Sequence, residues 1–141
     1  MTMIDLSNHL LATADRNDLP VTNLQLQKVL YFIIKDYIKE NNIDDFISTV
    51  YDIPFEAWPY GPVVRDLYFE YNIFGSDQIT DVGSINEQYE VFTPNIITRL
   101  KQNVYDLVDS THKEIFWKSN KDRILKHDEI TYRLENIRDG E

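Results

Sequence analysis

Three histidines, His9, His112 and His127, are the residues best suited to proton transfer or metal binding, and no cysteine accompanies them. Their separations form no H-x-x-x-H or H-E-x-x-H pattern that would place two imidazoles on one helix face, so neither a metal nor another cofactor is expected. Without cysteine there are no disulfides, thiolate metal sites or thiol nucleophiles, and a reducing compartment, the cytoplasm, is the natural expectation. The patterns G-x-x-x-x-G-K-[ST], G-x-G-x-x-G and G-x-S-x-G do not occur, which gives no phosphate cradle or nucleophile elbow to expect. Asp44-Asp45 and Asp128-Glu129 read as acids at helix starts, where they favour the dipole, rather than as acid–base pairs. A small hydrolase or transferase would have to rest on His112 with a carboxylate, yet no serine or orienting acid is tied to it by a recognisable spacing. The expectation is a protein that binds rather than catalyses.

The elements that must position these residues are mostly helical. Thr2 and Asp5 form a capping pair, followed by Met3, Leu6, Leu10 and Ala14 on one face, which predicts a first helix to about Arg16. Thr22 and Gln25 form a T-x-x-Q capping box, so a second helix begins at Asn23 and runs to Asn41-Asn42, apolar over more than half its circumference and therefore central. From Asn42 to Tyr60 the β-prone residues Phe46, Ile47, Val50, Tyr51, Ile53 and Phe55 predict one or two short strands or a hairpin. Gly61-Pro62 reads as the start of a third helix ending at Gly75. Residues 76–92 read as a connecting loop with strand character near Tyr89–Phe92. Thr93-Pro94 opens a fourth helix, a T-x-x-E box at Thr111–Glu114 starts a fifth, and Asp128 caps a last one with Ile130, Leu134 and Ile137 on one side. The expected architecture is one mostly α domain over residues 1–141, compact, with about five to six helices and a small β-hairpin or short strands between helices two and three.

Charge is distributed unevenly. Residues 1–98 hold 5 Lys and Arg against 15 Asp and Glu, whereas residues 99–141 hold 9 of each, so the whole net charge of −10 lies in the front two-thirds. Such a surface repels phosphate backbones and attracts basic partners, which argues against nucleic acid. Phe116-Trp117-Lys118 with Lys121, Arg123 and Lys126 comes closest to a single-strand binding pattern, but Glu114 and Asp122 interrupt it and a solvated amphipathic helix explains it more simply. The longest apolar run, Val29–Ile34, falls far short of the roughly 20 residues a membrane helix needs, so no membrane partner is expected. The N-terminus carries an acid and no long apolar stretch, unlike a secretion signal.

Two blocks are more specific than composition: Val21-Thr22-Asn23-Leu24-Gln25-Leu26-Gln27-Lys28-Val29-Leu30-Tyr31-Phe32, and Pro54-Phe55-Glu56-Ala57-Trp58-Pro59-Tyr60-Gly61-Pro62-Val63-Val64. A third follows in Leu107-Val108, Thr111-His112-Lys113-Glu114 and Trp117. In order and spacing, over about Leu6 to Lys118, the three resemble the Panacea domain, also called the SocA-like or GepA-like domain. The chain departs from that pattern at Pro59, where a basic or polar residue is usual, and at Ile33-Ile34-Lys35-Asp36.

The resemblance implies a helical antitoxin of bacteria, phages and mobile elements. Such a protein neutralises a cognate toxin encoded beside it by direct binding, or, in one branch, delivers the toxin to a ClpXP-type protease. Many members add a DNA-binding domain, for which this chain has no room. A phage or prophage accessory protein that binds a host factor is the competing reading. Within the blocks, Thr22, Leu24, Phe55, Ala57, Gly61, Pro62 and Trp117 explain themselves as cap, turn and packing. Gln27, Lys28, Glu56 and Tyr60 are polar residues inside apolar motifs, which either satisfy a buried network or face a partner. With Trp58 and His112 they form the candidate partner-binding set, and a Lys28–Glu56 contact is expected to join helix two to the β element. An acidic protein would neutralise a basic, nucleotide- or RNA-handling toxin by occluding its active site.

Overall fold

A computed structural model describes residues 1–140. Thr2 accepts a hydrogen bond from the Asp5 amide and opens α1 (Met3–Arg16), whose buried residues include Met3, Leu6, Leu10 and Ala14. The box at Thr22 is complete: its hydroxyl accepts from the Gln25 amide at 3.2 Å and the Gln25 side chain accepts from the Thr22 amide at 2.9 Å. It opens α2 (Asn23–Asn41), the central helix of the fold. Leu26, Leu30, Ile33 and Ile34 are wholly buried there, each worth roughly 1.5–3 kcal/mol of transfer free energy.

The stretch expected to be a strand after residue 42 instead begins with a helix, α3 (Asp45–Val50). Asp44 accounts for this: one carboxylate oxygen accepts from the Ile47 amide at 2.9 Å and the other from the Tyr37 hydroxyl at 2.6 Å. The cap overrides the β-propensity of a segment whose Ile47 and Val50 are buried at helical spacing. The hairpin follows, with β1 (Glu56–Trp58) antiparallel to β2 (Gly61–Val63) and Ala57 opposite Pro62. Gly61-Pro62 is thus strand and not helix start. Pro62 is tolerated because β2 is the edge, the other side of β1 pairing with residues 130–132 through Ala57 N to Ile130 O and Tyr132 N to Phe55 O.

The third expected helix starts later, as α4 (Arg65–Tyr71), and continues as a 3-10 turn to Phe74 before Gly75. Tyr89–Phe92 is not strand: Asn86 caps a 3-10 segment, Glu87–Phe92, that buries Tyr89 and Phe92 three residues apart. α5 (Thr93–Leu100) does begin with Pro near its start. Asn103 then recaps the chain, accepting from the Tyr105 amide, so that α6 (Val104–His112) is a separate helix.

Thr111 lies inside α6 and caps nothing; its hydroxyl donates to Val108 O at 2.7 Å. α7 (Ile115–Ser119) and α8 (Lys121–Leu125) follow. Asp128 caps no helix either but pairs with Arg123, and the chain runs extended past β1 before α9 (Leu134–Arg138).

The result is a mostly α, compact domain with one small hairpin, as the sequence led us to expect. α2 packs against α1, α3, α4, α5, α6, α9 and β2, and one continuous apolar core reaches from Met3 to Ile137. No helix among the described residues is long and apolar enough to cross a membrane.

Candidate functional site

The three sequence blocks converge on the hairpin, which α2 grips from one side and α6–α7 from the other. From α2, the Gln27 side chain accepts the Val64 amide at 2.8 Å and donates to Asn23 Oδ1 at 3.1 Å, while Lys28 Nζ donates to Pro62 O at 2.7 Å. Lys28 is fully buried, and loss of hydration pulls its ammonium down from an ordinary 10.5 to about 7. Gly61, at φ +104°, fits where no side chain would: a Cβ there would lie 2.5 Å from Thr111 Oγ1 and 3.1 Å from Lys28 Cε.

From the other side, His112 Nε2 donates to Pro59 O at 2.7 Å, and Trp117 Nε1 donates to Trp58 O at 3.0 Å. Only an N–H can bond a carbonyl, so Nε2 carries the imidazole proton. The imidazole and indole rings pack against each other with centroids 4.1 Å apart and planes tilted by 34°. The hairpin turn is therefore held by its own carbonyls.

Glu114 completes the grip. Its carboxylate accepts from the Tyr31 hydroxyl and, at 2.7 Å, from Lys35 Nζ, tying α2 to the start of α7 with all three groups buried. Burial raises the Glu114 pKa, opposed by the Lys35 and Tyr31 hydrogen bonds, and pushes Tyr31 far above the ordinary phenol value with help from the Glu114 charge. The T-x-x-E pattern is thus a bridge between helices, with Thr111 fitted against Gly61 and Glu114 against Lys35.

The expected Lys28–Glu56 contact is not formed. β1 alternates, Ala57 inward and Glu56 and Trp58 half-buried on the other face, so Lys28 meets β2 from the core side while Glu56 bonds Arg65 Nε at 3.0 Å and Trp58 Nε1 at 3.2 Å. Of the six candidate binding residues, Gln27 and Lys28 are buried and serve the fold's interior, Glu56 and His112 are partly buried and brace the hairpin, and Trp58 and Tyr60 line an open groove. Thr22 caps α2, Phe55, Ala57 and Trp117 are buried, and Pro62 is a strand residue rather than the helix start expected of it. Leu24, placed among the packing residues, is only partly buried and faces the groove described next.

Beside the hairpin lies an open, mainly apolar groove of about 650 Å³, floored by Leu24, Val63 and Trp58 and walled by Tyr60, Tyr68 and Tyr105. Tyr60 and Tyr105 are each 64% exposed. Tyr68 meets Trp58 edge-on at 4.9 Å, which fixes the indole over the groove. Sequence reasoning missed Tyr68 and Tyr105. The available signal was Tyr105, an aromatic lying off the Val104–Leu107–Val108 stripe of its helix.

A second depression of about 470 Å³, between the end of α1 and residues 78–82, carries Asp15, Asp18 and Asp81 and meets the motif blocks at Val21. His9 is a packing histidine: it accepts the Asn86 amide on Nδ1 at 3.1 Å, bonds Thr93 Oγ1 through Nε2, and is held below its ordinary pKa by burial. Among the described residues no group of three or more His, Cys, Asp or Glu side chains gathers as a metal site would require. Comparison with family models, curated proteins and solved structures finds no match to this chain.

Proposed function

We propose that this chain is an antitoxin that neutralises a basic toxin by direct protein–protein binding in the cytoplasm of a bacterium or a phage-infected host cell. One observation carries the reading: Gln27, Lys28, Glu56, His112 and Glu114, drawn from all three motif blocks, are satisfied within the fold, and together they present the Trp58–Pro59–Tyr60 turn and an uncharged aromatic groove on an acidic molecule. A rigid aromatic platform on a charged surface suits the capture of another protein, because aromatic anchors supply contact area at little entropic cost. The hydrogen bond that His112 Nε2–H donates to Pro59 O favours a bracing role for that imidazole over a general base. The resemblance to the Panacea domain supplies the neutralising role, and the net charge of −10 supplies the sign of the partner.

The test is a growth assay in which each neighbouring open reading frame is induced with and without this chain, followed by co-purification of the toxic product. Rescue with a stable complex whose affinity falls as salt rises supports direct neutralisation. Rescue that disappears in cells lacking ClpXP, with toxin levels restored, moves the mechanism to proteolytic delivery. If no neighbour is toxic, the antitoxin reading fails, and a host factor bound by a phage accessory protein takes its place.

A further inference from the structure

We propose that the groove beside the hairpin is the docking site for a linear segment of a partner protein built from an aromatic anchor flanked by lysine or arginine. The inference rests on the preceding reading for the partner's being a protein. Its volume of about 650 Å³ falls within the range of about 300–1,000 Å³ typical of concave ligand sites, enough for a few large side chains and too small for a whole domain. No charged residue lines it, and Trp58, Tyr60, Tyr68 and Tyr105 offer ring faces and edges for an apolar or aromatic anchor. The hydroxyls of Tyr60, Tyr68 and Tyr105 form no hydrogen bond within the described residues, so they are available to a bound backbone.

The charge around the groove fixes the sign of the flanks. Residues 65–77 and α6, which supply Tyr68, Asn72, Gly75, Ser76, Val104 and Tyr105 to its lining, carry Asp66, Glu70, Asp77, Asp106 and Asp109, all exposed. The only Lys or Arg on those elements is Arg65, whose guanidinium is paired with Glu56. A cationic segment whose anchor sits in the groove brings its charges over these carboxylates, and the tyrosine faces can also receive a cation. Stacked nucleobases would find the aromatic faces but would carry phosphates into the same carboxylates, and a second copy of this chain would bring a further charge of −10.

The experiment selects a phage-displayed library of random dodecapeptides on the full-length chain. The selected peptides are then synthesised and titrated against it, with the fluorescence of Trp58 as reporter and a Trp58→Phe variant identifying its signal. Enrichment of Trp or Phe beside Lys and Arg is expected. Binding should weaken about tenfold or more in Tyr105→Lys and several-fold in Asp106→Asn/Asp109→Asn, which should also flatten the salt dependence, with Leu125→Lys unchanged. Circular dichroism melts of the variants show that fold loss is not the cause, since Tyr105, Asp106, Asp109 and Leu125 are all exposed. Selection of acidic peptides, of none, or of peptides indifferent to Tyr105→Lys overturns the proposal. The two readings also fail separately. A toxic neighbour neutralised undiminished by Tyr105→Lys refutes the groove and leaves the antitoxin, whereas groove-bound basic peptides without any toxic neighbour do the reverse.

Discussion

Replacing Lys28 by Met exposes the energetics of the hairpin hub. Lys28 Nζ is fully buried, and Pro62 O is its hydrogen-bond acceptor at 2.7 Å. Both the ammonium and the neutral amine donate that bond, so lost hydration decides the titration and lowers the pKa to about 7 from 10.5. Between these values the unfolded chain holds a proton that the folded chain has released, so stability rises with pH, by about 1.4 kcal/mol per unit. At pH 7 the buried amine therefore costs up to about 5 kcal/mol relative to a side chain that never charges, whereas Met leaves Pro62 O unpaired at a cost of about 1–3 kcal/mol.

Lys28→Met should accordingly be more stable than the natural chain at pH 7, by about 3 kcal/mol, and should lose that advantage by pH 10. Urea unfolding of both proteins at unit steps from pH 7 to 10 reads the difference, and tyrosine ionisation, common to both, cancels. A difference that stays flat across this window would refute the reasoning, because it would mean that the ammonium remains charged in the folded state.

Gly61→Ala must fit a Cβ 2.5 Å from Thr111 Oγ1 at a φ of +104°, so it should lower unfolding free energy by about 2 kcal/mol or more, with partial recovery on adding Thr111→Ala. Glu114→Gln leaves the Lys35 ammonium buried without its anion and should cost about 3–5 kcal/mol in the same assay. The double variant Lys35→Met/Glu114→Gln should cost less than the two single changes together, because no buried charge is left unpaired. Tyr105→Lys should change stability by no more than about 0.5 kcal/mol, since the side chain is 64% exposed, so any loss of partner binding in that variant reports the surface alone.

The helices with strong local caps were legible from sequence. α1, α2 and α5 begin where Thr2, Thr22 and Pro94 place them, because those signals act within one turn of chain. The misreadings share one physical origin: the same residue types were satisfied over long range. Gly61-Pro62 has the composition of a helix start, but Lys28, Gln27 and Thr111 hold it as a strand, and Thr111 and Glu114 have the spacing of a capping box but are engaged by Gly61, Tyr31 and Lys35. Asp44, read as an acid at a helix start, does cap α3, although the β-prone residues after it predicted a strand. The candidate site was half legible. Trp58 and Tyr60 lie in a motif block, whereas Tyr105 enters the groove from α6 only through packing, more than 40 residues further along the chain.

The most direct test of the account places a photoreactive phenylalanine analogue at position 60, and separately at position 4 on α1, in this chain co-expressed with each neighbouring open reading frame. Binding through the hairpin face predicts a crosslink from position 60 to the protein whose toxicity is relieved, and none from position 4. Relief of toxicity with crosslinks from position 4 alone, or from neither position, would contradict it.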